Sequence, residues 1–229
     1  MVASPPPRPR RRTPAPSLRR EREHWDAGAV VAGVDEVGCG SWAGPVTYAA
    51  VVLPRTRRMY KLRDSKTLSP QQRDALAGRL QRFALGVGVG HAGNDEIDRL
   101  GLSEARRLAA RRAVDALPLT PDVVLLDGSW DFLAGYGTHN ERIVRGDAHC
   151  ASIAAASIVA KVTRDAMMVE LSPGFPAYGF ASNKGYPSPS HRQALRDFGP
   201  CDLHRRSWAP IAALDQLRLD LEADPAELP

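Results

Sequence analysis

Asp35 and Glu36 stand side by side at the end of the apolar run Ala29–Asp35 (AVVAGVD) and are followed by Val-Gly-Cys-Gly. A strand sends adjacent side chains to opposite faces. A shared task for the two carboxylates therefore needs the chain to turn at Glu36, which Gly38 and Gly40 make easy, or needs both sides of the strand end to be used. A second apolar run, Val123–Asp127, also ends in Asp, with Gly128 next; Asp147 follows in Arg-Gly-Asp, and Asp165 closes the run KVTRD. Carboxylates at neighbouring strand ends repel one another unless a cation lies among them. Oxygen donors of this kind suit Mg²⁺ or Mn²⁺, with a substrate phosphate completing the shell. Two such ions can activate a water and stabilise the leaving oxygen of a phosphodiester. An Asp at a strand end also caps turns, so residue types and spacing alone leave both readings open.

The elements that must position these residues alternate along the chain. Strands are predicted at Ala29–Asp35, near Val46–Leu53 and, with Gly at alternate positions, at Leu85–His91, where another backbone must approach closely. Ser69-Pro70-Gln71-Gln72 is a helix start, with Leu76, Leu80 and Phe83 on one face. Asn94 can cap a short turn, and a helix follows from Ser103 to about Leu117. Val123–Asp127 reads as a buried strand, Glu141–Arg145 as a short polar one, and Ala148–Glu170 as one long helix whose small residues pack on something flat. Helices from Ser188–Pro189 and from Pro210 complete the body. The pattern implies an α/β sheet with helices over it.

Composition bounds the function classes. The chain has 229 residues and a formal net charge of +5. Residues 1–27 hold six Pro and seven Arg and are expected to form a disordered tail. The acidic residues 215–229 offset that tail, so the body carries a mild positive excess, compatible with a polyanionic partner. Three cysteines at scattered positions argue against a disulfide framework. His139, His149, Cys150 and Cys201 lack the paired spacing of a zinc module. No apolar run approaches the roughly 20 residues of a membrane span, and a cytoplasmic monomer is expected.

Several segments together resemble the bacterial ribonuclease HII family: DEVGCGSWAGP at 35–45, DSKTLS at 64–69, LLDG at 125–128, RGD at 145–147, AASIVAKVTRD at 155–165 and NKGYPSPSH at 183–191. The resemblance runs from about Val30 to Trp208. It implies a ribonuclease H-like mixed β-sheet flanked by helices over 28–210, with a small C-terminal helical part, and a last helix and acidic tail at 211–229. It also implies hydrolysis of the RNA strand of RNA–DNA hybrids and cutting at single ribonucleotides in duplex DNA, with Mn²⁺ or Mg²⁺ as cofactor. By the same resemblance the catalytic and metal-holding set is Asp35, Glu36, Asp127 and Asp147, with Asp165 holding nearby basic side chains in place. Nucleic acid would be met by Gly38, Cys39, Gly40, Ser65, Lys66, Arg145, Arg164, Lys184 and Tyr186, the last stacking on the deoxyribose that follows the ribose.

The chain departs from the family pattern at Cys39, where relatives carry Arg. Gly38 and Gly40 keep the backbone function of the loop, but a thiol cannot replace a guanidinium contact; either activity weakens or another Arg compensates. At Arg145, where many relatives carry Lys, the positive charge stays. Two further readings are a noncatalytic nucleic-acid-binding relative and a nuclease that prefers long hybrids.

Overall fold

The computed structural model describes residues 15–57, 59, 62 and 68–214. Ser65, Lys66 and the acidic residues 215–229 lie outside them. Elements follow in the order α1 (Arg19–Trp25), β1 (Val31–Val37), β2 (Val46–Val52), α2 (Pro70–Phe83), β3 (Gly86–Ala92), α3 (Asn94–Leu100), α4 (Leu102–Asp115), β4 (Val123–Asp127), β5 (His139–Ile143), α5 (Gly146–His149), α6 (Ala151–Leu171), α7 (Phe180–Asn183) and α8 (Pro189–Phe198).

Among the described residues five strands form one mixed sheet in the order β3-β2-β1-β4-β5. β1 runs antiparallel to β2 and parallel to β4, so the two runs that end in carboxylates lie side by side at the centre. Every residue of β2 is buried, and β1 is buried through Asp35, as a sheet covered on both faces requires. One face carries α6 and α2 over Ala49, Val51, Leu125, Ile153 and Leu80. The other carries α4 over Tyr48, Ala50, Val124, Leu126 and Phe132. Small residues allow both layers to lie close. A side chain at Gly33 would sit 2.3 Å from the Ser152 backbone of α6, and one at Gly90 would sit 2.2 Å from the Ala109 carbonyl of α4. A third cluster, of Ala43, Met168, Tyr178, Phe180, Ala194, Leu195 and Ile211, joins the C-terminal helices to α6 and to the loop between β1 and β2. Among the described residues no helix is long and apolar enough to cross a membrane.

Several expectations need correction. Within the stretch expected to be disordered, Arg19–Trp25 forms a helix, because the fully buried Glu21 accepts hydrogen bonds from Ser152 N (2.8 Å) and Oγ (2.7 Å) at the start of α6. The first strand continues to Val37 rather than ending at Asp35. The polar strand occupies His139–Ile143 instead of Glu141–Arg145, so Arg145 lies beyond it in a left-handed conformation (φ 57°). The single helix expected over Ala148–Glu170 is broken at Cys150, which is extended (φ −110°, ψ 129°). Ser17 bridges to Cys150 there, and Ser17 O accepts from Ala151 N (3.0 Å).

Candidate active site

Continuation of β1 past Asp35 decides how its carboxylates are displayed. Asp35 pairs with Ala49 and Glu36 with Tyr48 across the β1–β2 ladder, which puts Asp35 on the α6 face and Glu36 on the α4 face. Both open onto a cleft of about 410 Å³ lined also by Val37, Gly38, Cys39, Gly40, Arg73, Asp127, Ser157, Lys161 and Tyr186. Another hollow of about 360 Å³, between Leu18, Arg22, Leu53, Met59 and Phe83, has no carboxylate among its described lining residues.

Charge in this cleft is crowded. Burial and then the neighbouring negative charge of Asp127 push the Asp35 carboxyl up to about 8, against a Ser157 hydrogen bond and the Glu36 N–H (2.7 Å). Burial and then Asp147 raise Asp127 as well, although its Oδ1 accepts from Gly146 N (2.7 Å) and Asp147 N (3.4 Å). Asp147 is itself buried on α5. Among the described residues no three His, Cys, Asp or Glu side chains are arranged to hold a metal ion. Glu36 is drawn to the opposite face of the sheet, where its Oε2 accepts from Tyr48 OH (2.8 Å) and Arg106 Nη2 (2.9 Å). The donor set still fits a hard divalent cation, because it consists of carboxylate oxygens whose mutual repulsion such a cation relieves.

The loop after β1 is held from beneath by two buried guanidiniums. Arg164 donates to Pro45 O (2.8 Å), Lys184 O (2.9 Å), Ala43 O (3.0 Å) and Ser41 Oγ (2.7 Å). Arg205 donates to Gly38 O (2.7 Å), Cys39 O (3.1 Å) and Gly44 O (3.0 Å). Burial, then the charge of Arg164, lowers Arg205 to about 10, so it remains a cation at neutral pH. Gly38 is required where it is: its φ is +91°, and a Cβ would stand 2.3 Å from Arg164 Nε. Gly185 O accepts from Trp42 N (2.8 Å), tying the loop that carries Tyr186 to the glycine loop.

Tyr186 is anchored through its carbonyl. Cys201 N–H donates to His204 Nδ1 (2.9 Å), which assigns the His204 proton to Nε2, directed at His191 Nε2 (2.9 Å). The His191 proton is then on Nδ1 and is donated to Tyr186 O (2.8 Å). Lys161 Nζ lies 5.8 Å from the Tyr186 ring centroid and pairs with Asp165 (2.7 Å). Asp165 thus fixes a basic side chain.

The structure brings Asp35, Glu36, Asp127, Gly38, Cys39, Gly40 and Tyr186 to one cleft. Arg164 is instead fully buried and acts on loop carbonyls, the Lys184 ammonium folds back onto Ala181 O, and Arg145 is exposed at the start of α5. Cys39 points inward, its Sγ donating to Glu36 Oε1 (3.3 Å); burial, then the Glu36 charge, pushes the thiol up to about 12. Sequence reasoning missed Arg73, Ser157 and Lys161 in the cleft, and Tyr48 and Arg106 behind it. Only Lys161 carried a signal, its spacing of four from Asp165 on a helix.

Known proteins place this architecture. The ribonuclease HII from Streptomyces avermitilis is 46% identical over 205 residues, covering 90% of this chain and 88% of that one. The ribonuclease HII of Chromohalobacter salexigens is 48% identical over 184 residues, covering 80% and 91%. The crystal structure of the ribonuclease H2 from Pyrococcus horikoshii OT3 matches with a TM-score of 0.71 at 27% identity, covering 82% of this chain and 97% of that chain, and gives the sheet its ribonuclease H-like assignment. The family model for ribonuclease HII matches residues 32–211, from the first central strand to the C-terminal cluster, and the chain belongs to that family.

Proposed function

We propose that this protein hydrolyses the RNA strand of RNA–DNA hybrids and cuts on the 5′ side of single ribonucleotides embedded in duplex DNA, leaving 3′-hydroxyl and 5′-phosphate ends. The observation that carries the reading is the single cleft in which Asp35, Glu36 and Asp127 face the Gly38–Gly40 loop and Tyr186. Asp35, Glu36, Asp127 and Asp147 would hold Mn²⁺ or Mg²⁺, which supplies Lewis acidity toward the attacking water and the departing 3′ oxygen.

The chain's own residues select and orient. With the carbonyls of Gly38, Cys39, Ala43, Gly44 and Pro45 engaged by Arg164 and Arg205, the glycine-loop amides serve the ribose 2′-hydroxyl and the adjacent phosphate. The two buried cations add a positive field beneath that phosphate. Tyr186, fixed by His191 and flanked by Lys161, stacks on the deoxyribose that follows. The 2′-hydroxyl is read and does not attack.

The test is cleavage of duplex DNA carrying one ribonucleotide, with and without Mn²⁺ or Mg²⁺, beside an all-DNA duplex and a long hybrid. Asp127→Asn should lower the rate at least about a hundredfold with duplex binding retained, because the amide keeps the shape and loses the charge that attracts a cation. A 2′,3′-cyclic phosphate product, or equal cutting of all-DNA duplex, refutes the reading.

A further inference from the structure

The Glu36 carboxylate is gripped by groups from two elements and from the loop after β1. Its Oε2 accepts from Tyr48 OH on β2 and from Arg106 Nη2 on α4, while Arg106 Nε donates to the same Tyr48 oxygen (3.0 Å), closing a three-membered ring of hydrogen bonds. The Arg106 guanidinium also lies 4.6 Å from the Trp130 ring centroid, so it is fixed at two nitrogens and over an aromatic face. Among the described residues, the other carboxylate oxygen, Oε1, receives only the Cys39 thiol at 3.3 Å. Cys39 is partly buried against the cluster that α4 covers.

We propose that Arg106 is a positioning residue that fixes Glu36, supplying from α4 the guanidinium that the glycine loop lacks at Cys39. A side chain at position 39 starts beside Glu36, and a guanidinium there would meet the one already presented by Arg106. A helix-borne Arg braced by Tyr48 and Trp130 holds Glu36 independently of loop conformation. The inference rests on Glu36 belonging to the cation-holding set proposed above.

Two readouts on the full-length protein test it: Mn²⁺ affinity measured calorimetrically on the metal-free protein, and single-turnover cleavage of a one-ribonucleotide duplex, with thermal unfolding as a fold check. Arg106→Gln should bind Mn²⁺ at least about threefold tighter, because Glu36 regains an uncompensated charge, yet cleave at least about fivefold more slowly, because the carboxylate is no longer fixed. Arg106→Lys keeps the charge without the fork; its Mn²⁺ affinity should stay close to that of the wild type while its rate falls. Cys39→Arg alone should slow cleavage by crowding two guanidiniums, and Cys39→Arg combined with Arg106→Gln should bring both readouts back to within about twofold of wild type. The proposal is overturned if Arg106→Gln changes neither readout, if it weakens Mn²⁺ binding and rate together as a general structural loss would, or if the double variant recovers neither. If wild type binds Mn²⁺ but cuts no ribonucleotide duplex, the proposed function fails, while the Mn²⁺ titrations still decide the role of Arg106.

Discussion

Acidification should unfasten the His191–His204 pair, and the structure sets the size of the effect. Both rings are buried, packed among Trp42, Tyr178 and Phe180. The chain of donors from Cys201 to Tyr186 opposes a further proton on either ring. At His191 Nε2 the new proton faces the Nε2–H of His204, and at His204 Nδ1 it meets the Cys201 N–H, offset only in part by Cys201 O at 3.3 Å, which the His204 backbone N–H already engages. Burial, then the charge of His191, lowers His204 to about 4, and burial lowers His191 as well. Between the ordinary histidine value and the folded one, the unfolded chain binds the extra proton and the folded chain does not. Stability is therefore fully present above about pH 6.5 and is lost as pH falls toward 4. At roughly 1.4 kcal/mol per pH unit, His204 alone accounts for about 3 kcal/mol across the window and about 2 kcal/mol by pH 5. Urea unfolding of wild type and of His191→Leu/His204→Leu at pH 7.5 and 5.0 isolates this contribution. Wild type should lose at least about 2 kcal/mol more than the double variant over that interval. Equal losses, to within about 0.5 kcal/mol, would refute the assignment of two neutral, proton-ordered rings.

Two further outcomes follow from the loop and from the N-terminal helix. Gly38→Ala should destabilise by at least about 2 kcal/mol, since the positive φ alone costs 1–2 and the new methyl overlaps Arg164. Gly40→Ala, with nothing among the described residues within 4 Å of the added atom, should leave thermal stability nearly unchanged and lower cleavage, because the methyl stands where substrate approaches the loop; comparable melting losses for the two variants would contradict this. Glu21→Ala should cost about 2 kcal/mol, since Ser152 N and Oγ lose their shared acceptor at the start of α6. Limited proteolysis should then cut within Arg19–Trp25, and an unchanged cleavage pattern would show that Glu21 does not hold that helix.

The chain alone determined the order of the five strands and of the helices that start at Ser69 and near Ser103, the capping box at Ser69 with Gln72 and the close approach over the alternating glycines of β3, because those features are written in local periodicity and turn chemistry. It also singled out Asp35, Glu36 and Asp127, since carboxylates that end apolar runs are conspicuous at any distance. Only the tertiary structure decided what each does. β1 extends past Asp35 because β2 offers it partners through Thr47, and that extension separates Asp35 from Glu36 onto opposite faces. Arg164 is a buried brace rather than a surface contact because α6 carries it directly under the loop carbonyls, and Arg205 joins it from 41 residues further along the chain. The Arg19–Trp25 helix was invisible amid Pro and Arg, since its order comes from a buried carboxylate meeting a helix start 131 residues away and from Trp25 packed into the core. Local pattern specifies elements; pairings between distant residues are set by packing, and a linear reading has no term for them.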